Sequence, residues 1–166
     1  MTSKLDSLES LFVRELRDLY SAENQLMAAL PKMEMAVTDP TLKRAIEAYH
    51  GETSKHIERL MEAFTEISED PIGATCTGTE GLINEFESLL KEKADPKVLD
   101  CALIAILRRI QHHQIAGYGI TRTFADQLGH HGIAEKLNES LTEQEDAEKS
   151  VTSIGVRWVN VVAGQS

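Results

Sequence analysis

Residues 16–27 read Leu-Arg-Asp-Leu-Tyr-Ser-Ala-Glu-Asn-Gln-Leu-Met, and the acid at position 23 is the key to the fold. Leu16, Leu19, Tyr20, Leu26 and Met27 recur at steps of three and four, the period of an amphipathic helix. Glu23 lies four residues after Leu19 and four before Met27, so its carboxylate projects from the face that should be buried. A buried, unpartnered carboxylate is expensive. Three remedies exist: a metal ion, a hydrogen-bonded partner, or an exit to water at the edge of the stripe.

Outward from this stretch the stripe extends through Leu5, Leu8, Leu11 and Phe12 on one side and Leu30 and Met33 on the other, predicting one helix from about Leu5 to Val37. Pro31 falls inside it and predicts a kink. Asp39-Pro40 is an N-cap acid followed by proline at the first helical position, and Ile46, Tyr49, Thr53, His56, Leu60, Phe64 and Ile67 carry a second long helix. Glu69-Asp-Pro-Ile-Gly breaks the pattern. Thr77-x-x-Glu80 reads as a capping box, and Leu82, Ile83, Phe86, Leu89 and Leu90 predict a short helix before Lys93. Asp95-Pro96 repeats the Asp-Pro start, opening a third long helix that ends at Gly129, and a fourth runs from about Ile133 to Trp158. No segment alternates with period two long enough to be a strand.

Two helices, a connection of about 25 to 30 residues, then two more helices predict an all-α protein, a ferritin-like antiparallel four-helix bundle whose long crossover contains a short extra helix. Such bundles can hold metal ligands at mid-core, supplied by Glu and His side chains from facing helices. Each long helix here is polar near its middle. Glu52 and His56 lie one turn apart between Tyr49 and Leu60 and could ligate one ion together. His113 and Gln114 interrupt the third stripe, and Gln144, Glu145 and Glu148 the fourth. Glu23 and Gln114 are 91 residues apart, and Glu52 with Gln144 and His56 with Glu148 are each 92 apart, the spacing of a duplicated helical hairpin. Singly, each polar position is more often a boundary residue or a surface pair; their matched offsets bring a metal site level with that reading. His112 and His113 are adjacent, so at most one points into the bundle, and His130 and His131 belong to a helix junction.

The chain has 166 residues, enough for one ferritin-like domain over 1–166, and its 42% hydrophobic and 27% charged composition is globular. Its formal charge of −10 is the reverse of what a phosphate-backbone binder carries, so no nucleic-acid partner is expected. No apolar run reaches the roughly 18 residues that span a bilayer, and the N-terminus has no signal-peptide pattern, so a cytoplasmic protein without a membrane partner is expected. Cys76 and Cys101 have no metal-ligand spacing and read as free thiols.

Four stretches resemble the YciF/YciE family, a stress-associated branch of the ferritin-like superfamily: residues 16–26, Ala-Leu-Pro-Lys-Met (29–33), Glu-Thr-Ser-Lys-His-Ile-Glu-Arg-Leu (52–60) and Ile-Ala-Gly-Tyr-Gly (115–119). The resemblance spans roughly residues 5 to 155. It implies a dinuclear metal centre, usually of iron, and a homodimer. Carried over by position, it makes Glu23, Glu52 and His56 the ligands of the first half. The second half departs from the family pattern. Where relatives read Glu-His-Tyr-Glu-Ile-Ala, this chain has Gln111-His112-His113-Gln114-Ile115-Ala116, and the expected Glu-Glu of the last helix is Glu143-Gln144. Glu148 replaces a usual Asp.

Gln is a neutral, weak ligand, so amides at 114 and 144 remove two negative charges from the site. Three outcomes follow. One ion is held chiefly by Glu23, Glu52 and His56, with Glu148, Gln114 and Gln144 completing the shell. Alternatively, two ions recruit Glu148, Glu143 or Glu145 and His113. In the third, the core is metal-free and amide hydrogen bonds close a polar network. A carboxylate-imidazole shell suits iron or manganese, and the chemistry open to it is oxidation of ferrous iron or reaction with oxygen or peroxide. The rival is a structural or interaction bundle that has kept the fold and lost the ion. For the dimer, Phe86 and Leu90 on the crossover helix offer apolar surface, and Trp158 packs on the bundle end or on a second subunit.

Overall fold

The computed structural model describes residues 4–164, and among them there are five helices and no strands. Four are long: α1 (Leu8–Ala36), α2 (Pro40–Ile67), α4 (Pro96–Gln127) and α5 (His131–Ala163). The fifth, α3 (Thr77–Leu89), rides on the crossover. No described helix is long and apolar enough to cross a membrane.

Local chemistry sets the helix ends. Ser7 caps α1 in a reciprocal capping box with Ser10, leaving Leu5 outside the helix and 49% exposed. The Asp39 and Asp95 carboxylates each accept from two backbone N–H groups of the first turn, with Pro40 and Pro96 in the positions where a missing N–H costs nothing. Gly129, at φ +81°, makes the left-handed step between α4 and α5. α1 continues through Pro31, which is exposed to solvent, so the proline does not terminate the helix. The anticipated Thr77–Glu80 capping box does not form: the N-cap is Cys76, Thr77 is already helical, and no side chain caps this end.

α1 packs antiparallel on α2 through the short connection 37–39, and α4 on α5 through 128–130; α2 also meets α5 and α1 meets α4, closing a four-membered ring of helices. α3 lies along the α1–α4 side as the chain returns from the end of α2 to the opposite end of the bundle. This is the ferritin-like connectivity anticipated from the crossover length. Buried Asp100 locks the return: its carboxylate accepts from Thr38 N–H at 2.9 Å, Thr38 Oγ1 at 2.7 Å and Asp39 N–H at 2.9 Å, tying the α1–α2 corner to α4. Asp100→Ala removes three hydrogen bonds to a buried carboxylate and should cost about 2 to 3 kcal/mol in urea unfolding; a loss below about 0.5 kcal/mol would show that the corner holds without it.

The core falls into two apolar halves. One gathers Leu26, Leu30, Met33, Leu42, Ile46, Tyr49, Phe86, Leu103, Leu107, Ile110 and Val151. The other gathers Phe12, Leu16, Leu19, Leu60, Phe64, Tyr118, Ile133 and Leu137. Phe86 is therefore not the exposed residue anticipated above: it is fully buried in the first half, because α3 turns this side of its helix onto α1 and α4. Leu90 remains 41% exposed. Trp158 is half-buried against the same half of the core.

Candidate metal centre

Between the two apolar halves lies a polar layer. Along α1 it falls between Leu19 and Leu26, along α2 between Tyr49 and Leu60, along α4 between Ile110 and Tyr118, and along α5 between Leu137 and Val151. Glu23, His56, Gln111 and Gln144 are fully buried there, with Gln114 and Ser140 at 1% exposure and Glu52 half-buried. The mid-helix interruptions seen in the sequence thus meet in one slab.

His56 is its centre. The Nε2 atom lies 2.9 Å from Glu143 Oε2, and Nδ1 lies 3.1 Å from Glu23 Oε1. Glu143 is gripped by Arg59, which donates to both carboxylate oxygens at 2.7 and 2.9 Å and reaches Ser140 Oγ at 3.2 Å. The Arg59 hydrogen bonds, helped by its charge and by His56, hold the Glu143 carboxyl below the usual range. An ionised Glu143 can only accept, so Nε2 carries a proton and donates it there. Nδ1 then faces the interior. The Nδ1 lone pair could then serve as a metal ligand on a ring oriented by the carboxylate behind it, the usual second partner of a metal-bound histidine.

Glu23 Oε1 also accepts from the Tyr118 hydroxyl at 2.7 Å and from Gln144 Nε2 at 3.4 Å. Burial, reinforced by the Glu23 charge, pushes the Tyr118 phenol well above its ordinary range, so it stays a donor. Glu52 is shifted upward as well, chiefly by burial and against the pull of His56. Part of the layer has no partner: Glu23 Oε2, Glu52 Oε2, Gln144 Oε1, Gln114 Nε2 and both polar atoms of Gln111 make no hydrogen bond. Buried polar atoms seldom remain so. Three of these orphans are oxygens on Glu23, Glu52 and Gln144, the donor type that a hard cation takes. The Nδ1–Oε1 separation agrees, since two ligands at right angles on an ion with bonds of about 2.1 Å stand about 3 Å apart.

The anticipated ligands are not all brought together. Glu23, His56 and Gln144 are in mutual hydrogen-bond range; Glu52 shares their layer, but its carboxylate does not come within 4.8 Å of both the Glu23 and the His56 ligand atoms. Gln114 is buried at the same level on α4. Glu148 is turned aside: its Oε1 accepts from Thr152 at 2.6 Å and Arg108 at 2.9 Å, and lies 3.2 Å from exposed His112. The Thr152 bond and the Arg108 and His112 charges hold its carboxyl low. Glu145 is exposed, and His113 turns to Cys76 instead of the centre. Sequence reasoning had assigned no role to Arg59, Tyr118 or Ser140. Arg59 lay within reach of it, being three residues from His56 and seven from Glu52 and so on the same helical face.

Comparison with known proteins agrees with this architecture. The family described as a domain of unknown function, DUF892, matches residues 7–163. Protein YciF of Escherichia coli is 34% identical over 157 residues, covering 94% of this chain and 95% of YciF. The crystal structure of that E. coli stress protein superposes with a TM-score of 0.90 over 94% of this chain and 99% of its own. YcfI of Rhodopseudomonas palustris does so at 0.88, with 35% identity over 92% of this chain and 97% of its own. A Xanthomonas campestris protein at 16% identity, with a TM-score of 0.76 over 96% of this chain and 98% of its own, shares the fold. A family match along nearly the whole helical bundle, joined to identity of this extent with YciF, means that the chain belongs to the DUF892 family, that of the stress protein YciF.

Proposed function

We propose that this protein is a cytoplasmic, stress-associated metal binder that holds one divalent ion, iron by the chemistry of its donors, in the layer between its two apolar half-cores. Glu23 and the Nδ1 atom of His56 are the principal ligands, the carbonyl oxygen of Gln144 joins them, and Glu52 swings in from the same layer to complete the set. The observation that carries this reading is the clamp behind His56. Arg59 fixes Glu143, Glu143 accepts the hydrogen bond from Nε2, and the other ring nitrogen is left aimed at a carboxylate beside unpartnered buried oxygens. One ion is favoured over two because Glu148 is committed to Arg108 and Thr152, and positions 114 and 144 bring no charge.

A bound ferrous ion supplies one-electron chemistry toward oxygen or peroxide. The chain's own residues orient and insulate it: Tyr118 and Gln144 hold Glu23 in place, Arg59 and Glu143 hold the imidazole, and the apolar halves exclude bulk water. Anaerobic ferrous titration with elemental analysis tests the reading. About one iron per chain is expected, falling at least tenfold in affinity in His56→Ala and also weakened in Glu143→Gln, which touches the ion only through the imidazole. No iron after loading would make this a metal-free bundle. Two per chain would mean that the amide-bearing half still ligates.

A further inference from the structure

We propose that Asp18, Cys76 and His113 form a second cation site, separate from the His56 centre, for a divalent transition ion of the zinc type. The three come from α1, from the N-cap of α3 and from α4, and their ligand atoms all lie within 4.8 Å of one another. Among the described residues it is the one set of three His, Cys, Asp or Glu side chains that meets this spacing. Cys76 Sγ lies 3.1 Å from Asp18 Oδ2 and 3.5 Å from His113 Nε2. Zinc–sulfur and zinc–nitrogen bonds of about 2.3 and 2.05 Å at a tetrahedral angle would put sulfur and nitrogen about 3.5 Å apart.

The surroundings hold these groups in place. Cys76 N–H donates to Ser21 Oγ at 2.9 Å and the Cys76 carbonyl accepts from Gln25 Nε2 at 3.1 Å, so its backbone is pinned to α1 on both sides. His113 lies against the first turn of α3 at Gly78, where a Cβ would stand 2.6 Å from His113 Cε1. Only glycine lets the ring approach so closely. Cys76 occupies an N-cap that no side chain caps, where the unpaired N–H groups of the helix start favour a thiolate. Burial, with Asp18 adding to it, keeps the free thiol protonated and donating to Asp18. Ion binding would release that proton to solvent and leave thiolate, imidazole and carboxylate as three ligands, the fourth position being open to water. A sulfur–nitrogen–oxygen set suits a borderline ion, whereas the oxygen-rich His56 centre suits a harder one. The ion would fasten the crossover to α1 and α4.

Cobalt(II) titration of the full chain, with zinc as competitor, tests this independently of the His56 centre, which has no sulfur. A thiolate-to-cobalt charge-transfer band in the near ultraviolet is expected, saturating at one ion per thiolate site and displaced by zinc. It should persist in Cys101→Ser and Glu52→Gln and vanish in Cys76→Ser. His113→Gln and Gly78→Ala, which keep the thiol, should each weaken binding at least tenfold. Absence of the band from the folded protein, its survival in Cys76→Ser, or its indifference to His113→Gln would overturn the proposal.

Discussion

Glu23→Ala should lower the free energy of unfolding by about 2 to 4 kcal/mol, the cost of leaving a buried donor without its acceptor and of opening a gap in the core. Two donors converge on Glu23 Oε1, the Tyr118 hydroxyl at 2.7 Å and Gln144 Nε2 at 3.4 Å, and His56 Nδ1 lies 3.1 Å from it. None of these side chains has access to water, so the Tyr118 hydroxyl loses its acceptor without replacement, while Gln144 Nε2 keeps only His56 Nδ1 at 3.4 Å. The truncation also opens a gap between the two half-cores, adding a packing cost. Glu23→Gln keeps one acceptor oxygen and the shape, so its penalty should be smaller, and Tyr118→Phe, which removes one donor, should cost about 1 kcal/mol. Urea unfolding of the metal-free proteins followed by circular dichroism gives all three values. A cost below about 1 kcal/mol for Glu23→Ala would mean that the buried network around His56 does not form in solution.

The double substitution Gln114→Glu and Gln144→Glu should act in opposite directions on the metal-free and loaded proteins. Without metal it puts two more carboxylates into a buried layer that already holds Glu23 and Glu52 and whose imidazole is committed to Glu23 and Glu143. Burial and mutual repulsion together should cost about 3 kcal/mol or more, a fall of roughly 10 °C in Tm for a chain of this length. With ferrous iron the same groups neutralise a second ion, so the stoichiometry should rise from one to two per chain and Tm should recover. The single variants should fall between. An unchanged metal-free Tm would show that positions 114 and 144 reach water, and a stoichiometry fixed at one would show that Glu148 or the α4 face cannot complete a second shell.

Glu52 works against the metal-free fold in a milder way. Its carboxyl is shifted upward mainly by burial, so the folded state binds its proton more tightly than the unfolded chain does. The metal-free protein should therefore lose this penalty as pH falls through the folded pKa of Glu52 toward its unfolded value, the opposite of the contributions of Glu143 and Glu148, whose depressed values favour the fold only while they stay ionised.

Much of this was legible in the residues. The Asp-Pro pairs at 39–40 and 95–96 start helices because each signal is complete within four residues: an acid that caps and a proline that needs no donor. Glu23, His56, Gln114 and Gln144 could be placed at the core because helical periodicity assigns a face to every residue, and all four are buried. Where the signal depended on a neighbouring element, reading failed. Phe86 shares its apolar character with exposed Leu90, and only the docking of α3 against α1 and α4 buries one and not the other. The Thr77–Glu80 capping box was overridden because the α3 start is held from outside, by Ser21 and Gln25 acting on the Cys76 backbone.

The sequence by itself determined the helices, their order, the crossover and the buried polar level on each stripe, because those follow from periodicity and from caps a few residues long. The tertiary structure alone decided which polar groups meet. Arg59 finds Glu143 across 84 residues, Tyr118 finds Glu23 across 95, and Asp18, Cys76 and His113 converge from three helices. Such pairings depend on the rotation and offset of helices that are packed side by side, a property of the whole bundle with no local period to reveal it.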